Sequence, residues 1–97
     1  MIALSIVAPN GSKIAAGEKL LEVRTWKPAE LPLKGLVIVE NSIYLSSDRQ
    51  IDTQGLAVAM VDVDAVHEWA IDEVAAACAT RWEPGHWAWV LSNVRCF

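Results

Sequence analysis

Apolar and polar residues alternate in several short segments of the chain, which is the pattern of β-strands with one face towards a core. In the first segment Ile2, Leu4 and Ile6 share one face, and Pro9 follows the segment and ends it. The same alternation recurs over residues 20–26. Because a strand turns each successive side chain to the opposite face, the pattern predicts which residues of each segment face the core.

Two further segments, 36–40 and 55–63, are apolar on both faces, which is typical of strands buried inside a sheet. A last alternating segment, 86–91, places Trp87 and Trp89 on one face and continues towards the C-terminus. For both tryptophans core packing is favoured over ligand stacking. The chain is therefore predicted to contain five or six strands.

Helical signals are few and short. Asn10 is predicted to cap a two-turn helix with Ile14 on its apolar side, and Gly17 to end it. A second helix is predicted over 71–78, where apolar residues repeat at helical spacing. The absence of regular strand–helix alternation argues against a doubly wound sheet and favours a small, highly curved sheet or barrel, an α+β fold that is mainly β.

Length and charge narrow the function. Ninety-seven residues suffice for a single domain, predicted to span 1–97. The net charge of −4 disfavours a broad phosphate-binding surface, so a long DNA duplex is not expected as a ligand. The chain has no apolar run near the ~20 residues of a membrane helix and no basic leader, which predicts a cytoplasmic protein without a membrane partner.

The cysteines and histidines suggest no metal chemistry. Cys78 and Cys96 lack metal-ligand spacing and are expected to be buried or reduced thiols without a disulfide. His67 and His86 are candidate proton carriers, but neither has a nucleophile or carboxylate at the spacing of a triad. We therefore expect neither a metal nor another cofactor.

The segment 17–26 carries the strongest candidate site. If residues 20–26 form a strand, Glu22, Arg24 and Trp26 share one face, with Glu22 and Arg24 about 7 Å apart, and Lys19 reaches the same space from the preceding turn. Such a set suits a planar, polar ligand such as a nucleobase. The alternative is a solvated Glu–Arg pair, which contributes only about 0–1 kcal/mol.

The chain also resembles the ASCH domain family over nearly its whole length, about residues 3–94. The resemblance rests on Leu4-Ser5 followed by Pro9, on Gly17-x-Lys19-x-x-Glu22-x-Arg24-x-Trp26, on Gly35 with a hydrophobic strand ending near Ser42, and on Trp87-x-Trp89-x-Leu91. It implies a PUA-like β-barrel with a cleft beside the Gly-x-Lys segment. That fold is associated with RNA binding and RNA-modification enzymes.

The first hypothesis from this resemblance is a domain that binds RNA, a nucleotide or a modified nucleoside. Its ligand-binding residues would be Lys19, Glu22, Arg24, Trp26, Ser5 and Ser42. The alternative is an amidohydrolase acting on N4-acetylcytidine or a similar acylated nucleoside, with Lys19 and Glu22 as catalytic residues. Ribonuclease activity has also been attributed to the family, and one fold hosts several functions.

Several positions depart from the family pattern. Glu22 stands where the amidohydrolase members carry a threonine nucleophile, and a carboxylate cannot simply replace that hydroxyl. Asn10 replaces a tryptophan common among relatives. Glu40-Asn41-Ser42 replaces a His-Ala-Ser run and adds a negative charge. A third hypothesis, a protein-interaction module, would be favoured by an exposed apolar patch near Tyr44, in the predicted long loop 41–54.

Overall fold

A computed structural model describes residues 2–42 and 55–97, which form one curled, five-stranded sheet. The strands lie in the spatial order β1-β3-β4-β5-β2; β1 runs parallel to β3, and the other pairs are antiparallel. This half-barrel leaves β1 and β2 as the two edges and confirms the predicted mainly β, curved fold. The strands are β1 (Ile2–Val7), β2 (Leu21–Arg24), β3 (Leu33–Asn41), β4 (Leu56–Glu68) and β5 (Trp87–Cys96).

One short helix, α1 (Asn10–Ala15), connects the two edge strands. Its Ile14 is fully buried in the main core. Gly17 follows with a φ of +78°, a conformation that glycine adopts without a steric penalty. The predicted end of the helix at Gly17 is confirmed, and the chain is turned there towards β2.

The start of α1 differs from the prediction that Asn10 caps it. No side chain at the helix start makes the capping hydrogen bond. Instead the Glu40 carboxylate accepts hydrogen bonds from the Ser12 N–H at 2.6 Å and the Ser12 hydroxyl at 2.9 Å. A Cβ at Gly11 would lie only 2.8 Å from the Cβ of Glu40. The glycine therefore allows β3 to approach the helix and supply the cap.

The helix predicted over 71–78 is mostly absent. Only Ile71–Glu73 is helical, as a 3₁₀ turn, and irregular turns continue to Cys78. The Ala76 carbonyl accepts hydrogen bonds from the N–H groups of Leu20 and Leu21, at 2.8 and 3.2 Å. Pairing with the chain entering β2 thus replaces the helical bonding that the apolar spacing suggested.

Two strands are longer than predicted. The turn expected over 64–69 is mostly strand, since β4 continues through Glu68, which pairs with Trp87 of β5. β3 already begins at Leu33, inside the predicted connection 27–35. Pairing with β5 extends the end of β4, and pairing with β4 extends the start of β3. Most of the predicted loop 41–54, including Tyr44, lies outside the described residues, and Asn41 itself belongs to β3.

The main core includes Trp89, which is 1% exposed. Trp87 and Leu91 pack against it from the same strand, which confirms the predicted core role of Trp87 and Trp89. Within the described residues, no helix has the length and apolar character needed to cross a membrane. The buried members of this cluster are Leu4, Ile6, Ile14, Leu36, Ile38, Ala59, Val61, Val63 and Trp89.

Asp62 holds together the irregular parts of β3, β4 and β5. Its carboxylate accepts hydrogen bonds from the Gly35 N–H at 3.0 Å, the Asn93 amide at 2.9 Å and Arg95 Nη2 at 2.6 Å. The pairing of β4 with β3 and with β5 shifts register close to these residues. The Asn93 hydrogen bond first, then the Gly35 N–H and the Arg95 charge, lower the pKa of Asp62 below its usual 3.8.

We predict that Asp62 makes folding stability depend on acid pH. Because its folded pKa is depressed, it stabilises the fold above its unfolded pKa, and this contribution is lost as pH falls through the folded pKa. Asp62→Asn should therefore lower the urea midpoint at neutral pH and flatten its fall below pH 3.8. Asp72→Asn, at an exposed position, is the control. Parallel pH profiles for the wild type and Asp62→Asn would contradict the prediction.

Candidate functional site

An open hollow of about 860 Å³ lies between the two edge strands of the half-barrel. One wall is formed by residues 4–7 of β1 and the opposite wall by residues 22–26, which comprise most of β2 and the two residues after it. Residues 77–81, from the turns after Glu73, close a third side. In a closed barrel the edge strands β1 and β2 would pair with each other. In this half-barrel the hollow lies between them instead.

Lys19 is almost completely buried at the base of this hollow, with 7% of its surface exposed. Its N–H and that of Glu18 donate to the Lys13 carbonyl, which fixes the turn after α1. The Nζ atom donates a hydrogen bond to the Ala77 carbonyl at 2.5 Å and lies 3.5 Å from Oε1 of Glu22. The turn therefore places an ammonium group beside a carboxylate, as the sequence predicted.

Glu22 is held between two cations. It is 6% exposed, and its Oε2 accepts a hydrogen bond from Arg24 Nε at 2.7 Å. Arg24 also donates from Nη2 to the Ser5 carbonyl at 3.0 Å, across the gap between β2 and β1. An unbroken chain of charge-assisted contacts therefore runs from Lys19 through Glu22 and Arg24 to the backbone of β1.

Trp26 stands at the rim of the hollow with 51% of its surface exposed. Its ring lies edge-on against Trp89, with the centroids 4.8 Å apart and the planes at 89°. The Trp26 carbonyl accepts a hydrogen bond from the Trp89 indole N–H at 3.2 Å. Contacts with the core thus fix an aromatic surface that remains open to solvent.

The structure brings five of the six predicted ligand-binding residues to the same hollow. Ser42 differs, because it is exposed at the end of β3, and its neighbour Asn41 lines the hollow instead. What these residues bind remains a prediction. The five residues are Ser5, Lys19, Glu22, Arg24 and Trp26.

Some lining residues were not assigned to the site from the sequence. Thr80, Arg81 and Cys78 reach the hollow through the turns that replace the predicted helix. No local pattern marks them, since their position depends on the Ala76 pairing with β2. Tertiary contacts alone bring residues 77–81 to the hollow.

The two histidines have different surroundings. His86 lines the hollow, and its ring lies 6.1 Å from that of Trp69. His67 lies outside it and contacts the Glu73 carboxylate at 2.9 Å. The Ala70 N–H, together with His67, lowers the pKa of Glu73. His86 alone of the two is placed to meet a ligand.

The described residues contain no group of three or more side chains suited to hold a metal ion. Cys78 and Cys96 are both free thiols. Two other basic residues of the first third of the chain contact partners outside the lining of the hollow. Lys34 pairs with Asp64 at 2.7 Å, and Lys27 lies over the Trp87 ring at 4.2 Å.

A curled half-barrel with a polar cleft between its edge strands is the architecture of a small PUA-like domain. The chain belongs to the ASCH domain family, whose family model matches residues 4–97, and this family lies within the PUA-like superfamily. The resemblance drawn from the sequence is therefore confirmed. No curated protein matches the chain. Membership is consistent with a small domain of the RNA-binding type.

Proposed function

We propose that the protein binds a nucleotide, a modified nucleoside or a short single-stranded RNA in the hollow between β1 and β2. One observation carries this proposal. The linked charges of Lys19, Glu22 and Arg24, together with the exposed indole of Trp26, surround a single hollow of about 860 Å³. Small-molecule sites have volumes of roughly 300–1,000 Å³ and combine apolar surface with a few placed polar groups.

Each of these side chains has a distinct role towards a base. The Lys19 ammonium has three N–H donors; Ala77 takes one and Glu22 faces another, which leaves a third for a base acceptor. The Glu22 carboxylate accepts from an exocyclic amine, and Arg24 donates to base or phosphate oxygens. Trp26 stacks on the base or its neighbour. This division favours recognition of the base over recognition of the phosphate alone.

Replacing Arg24 or Trp26 should weaken nucleotide binding more than it lowers the stability of the fold. Both are at least partly exposed, so we expect Arg24→Ala and Trp26→Ala to fold and to weaken nucleotide binding roughly tenfold each. Lys19→Ala should also weaken binding. The measurement is calorimetric titration with the four ribonucleoside monophosphates and a short single-stranded RNA.

The matched control for these variants is Lys13→Ala, which removes a cation from α1 outside the lining of the hollow. Its affinity should equal that of the wild type. If Arg24→Ala and Trp26→Ala each bound nucleotides with the affinity of the wild type, this hollow would be rejected as the binding site.

The contact between Lys19 and Glu22 supports a second candidate, hydrolysis of an N4-acylated cytidine. Because Glu22 replaces the threonine of the amidohydrolase members, water would be the nucleophile. Glu22 would take a proton from the water as the oxygen attacks the acetyl carbonyl, and Lys19 would stabilise the oxyanion. Glu22 would then return that proton to N4 as the C–N bond breaks, which gives cytidine and acetate. Against this, Lys19 and Arg24 already contact the two oxygens of the Glu22 carboxylate, which leaves neither oxygen free to face an attacking water.

Incubation with N4-acetylcytidine separates the two candidates. Mass spectrometry measures the acetate and cytidine that are released. If the hollow is catalytic, the wild type should release more of both products than Lys19→Ala does. Equal product from the wild type and Lys19→Ala, with binding retained by the wild type, would reject the hydrolase and leave the binding domain.

A further inference from the structure

The backbone of β1 offers hydrogen-bonding groups directly to the hollow. The Ala8 N–H donates to the Asn41 carbonyl at 2.7 Å and so continues the ladder between β1 and β3. Since alternate residues of a strand direct their peptide groups to opposite sides, even-numbered residues of β1 face β3. Ser5 and Val7 therefore face the free edge. The hydrogen bond from Arg24 to the Ser5 carbonyl shows the same direction independently.

The facing strand has the same property. The Leu91 N–H donates to the Leu20 carbonyl at 3.1 Å, so Leu20 and the residues two and four positions later face β5. Val23 directs its peptide group to the opposite side, towards β1, and lines the hollow. Two strand edges thus border the hollow with alternating backbone donors and acceptors.

We propose that the pairing edge of the bound base is read by these backbone groups, chiefly the N–H of Ser5 and the peptide of Val7. This inference rests on the proposed function and adds the class of ligand. A base that presents an acceptor beside a donor complements a strand edge, where an N–H alternates with a carbonyl. The ligand must then be an unpaired base whose pairing edge carries no methyl group.

A base fits this place better than a peptide strand would. The guanidinium of Arg24 crosses the gap and already holds the Ser5 carbonyl. An added strand would need that carbonyl and the space of the guanidinium, whereas a planar base lies beside them. The exposed Trp26 ring at the same rim supplies a stacking surface for the base. Side chains and backbone therefore address different parts of one ligand.

The first arm of the test removes a single N–H from the edge. Ser5→Pro deletes the donor that faces the hollow, and Ser5→Ala deletes only the hydroxyl; proline is tolerated on an edge strand where its nitrogen faces outward. Ala3→Pro makes the same change on the same edge at a residue outside the lining of this hollow. We expect Ser5→Pro to bind the tightest ribonucleoside monophosphate roughly tenfold more weakly than Ser5→Ala does. Ala3→Pro should bind like the wild type.

The second arm uses the wild-type protein and so does not depend on any variant folding. The tightest monophosphate is compared with its derivative methylated on the pairing edge, at N3 of a pyrimidine or N1 of a purine. The control ligand is the same nucleotide methylated on its ribose 2′ oxygen, which leaves the pairing edge free. Methylation of the pairing edge should lower affinity by roughly tenfold or more, because one hydrogen bond is lost and a methyl group meets the strand.

The outcomes separate this inference from the proposed function. If the wild type binds nucleotides, yet methylation of the pairing edge changes nothing and Ser5→Pro equals Ser5→Ala, backbone reading is wrong and the binding function stands. If the wild type binds no nucleotide and no RNA, both proposals fail. Should Ser5→Pro not fold, the methylated ligand decides alone.

Discussion

Glu22→Ala is expected to lower the free energy of unfolding by about 3 kcal/mol, because it leaves the buried Lys19 ammonium without its counter-charge. The side chains of Lys19 and Glu22 are 8% and 7% exposed, so neither charge is well solvated. Lys19 keeps its hydrogen bond to Ala77, which places the expected effect at the lower end of values for a broken buried pair. Urea denaturation followed by circular dichroism measures it.

Two controls make this prediction specific. Glu18→Ala removes an exposed carboxylate four residues earlier and should change stability by no more than about 0.5 kcal/mol. The double variant Lys19→Met, Glu22→Leu removes both buried charges and should recover much of the loss. Arg24 loses its carboxylate partner, but its side chain is partly exposed and keeps its hydrogen bond to the Ser5 carbonyl. Equal stability of Glu22→Ala and the wild type would show that the pair is not an electrostatic unit.

Trp89→Ala should be the most damaging single substitution, at about 4 kcal/mol. The side chain is 1% exposed in the main core, so its removal leaves a large cavity. It would also release Trp26, which rests edge-on against the Trp89 ring and receives its indole N–H. Both stability and nucleotide affinity should fall, measured by thermal unfolding and by titration.

Trp26→Ala is the matched comparison, because it removes the same ring type from the exposed rim. It should cost little stability while lowering nucleotide affinity, so the two variants separate the core from the site. Trp89→Phe retains most of the packing but loses the donor to the Trp26 carbonyl and should be intermediate. If Trp89→Ala unfolded at the same temperature as the wild type, the assignment of Trp89 to the core would be wrong.

The half of the site that lies on one strand could be predicted from the sequence, because strand alternation is a local property. The shared face of Glu22 and Arg24 and the arrival of Lys19 after Gly17 need only the period of two and a turn. The strand predicted over 20–26 is shorter in the structure, and Trp26 lies two residues beyond its end. The wall at 77–81 could not be predicted. Its shape depends on the bond from β2 to Ala76, a contact that no spacing within 71–78 encodes.

Glu40 and Glu22, two departures from the family pattern, have different roles in the structure. The negative charge that Glu40 adds is used within the fold, because its carboxylate caps α1 through Ser12. Glu22 lines the hollow between Lys19 and Arg24. The position at which the amidohydrolase members carry a threonine therefore holds an ion-paired carboxylate in this chain.

The perpendicular pair of Trp26 and Trp89 gives the molecule an intrinsic optical signal. Two indoles whose centroids are 4.8 Å apart couple their electronic transitions, and one of the two rings is open to solvent while the other is enclosed. Occupation of the cleft at the open ring would alter near-ultraviolet dichroism and emission together, without an attached label.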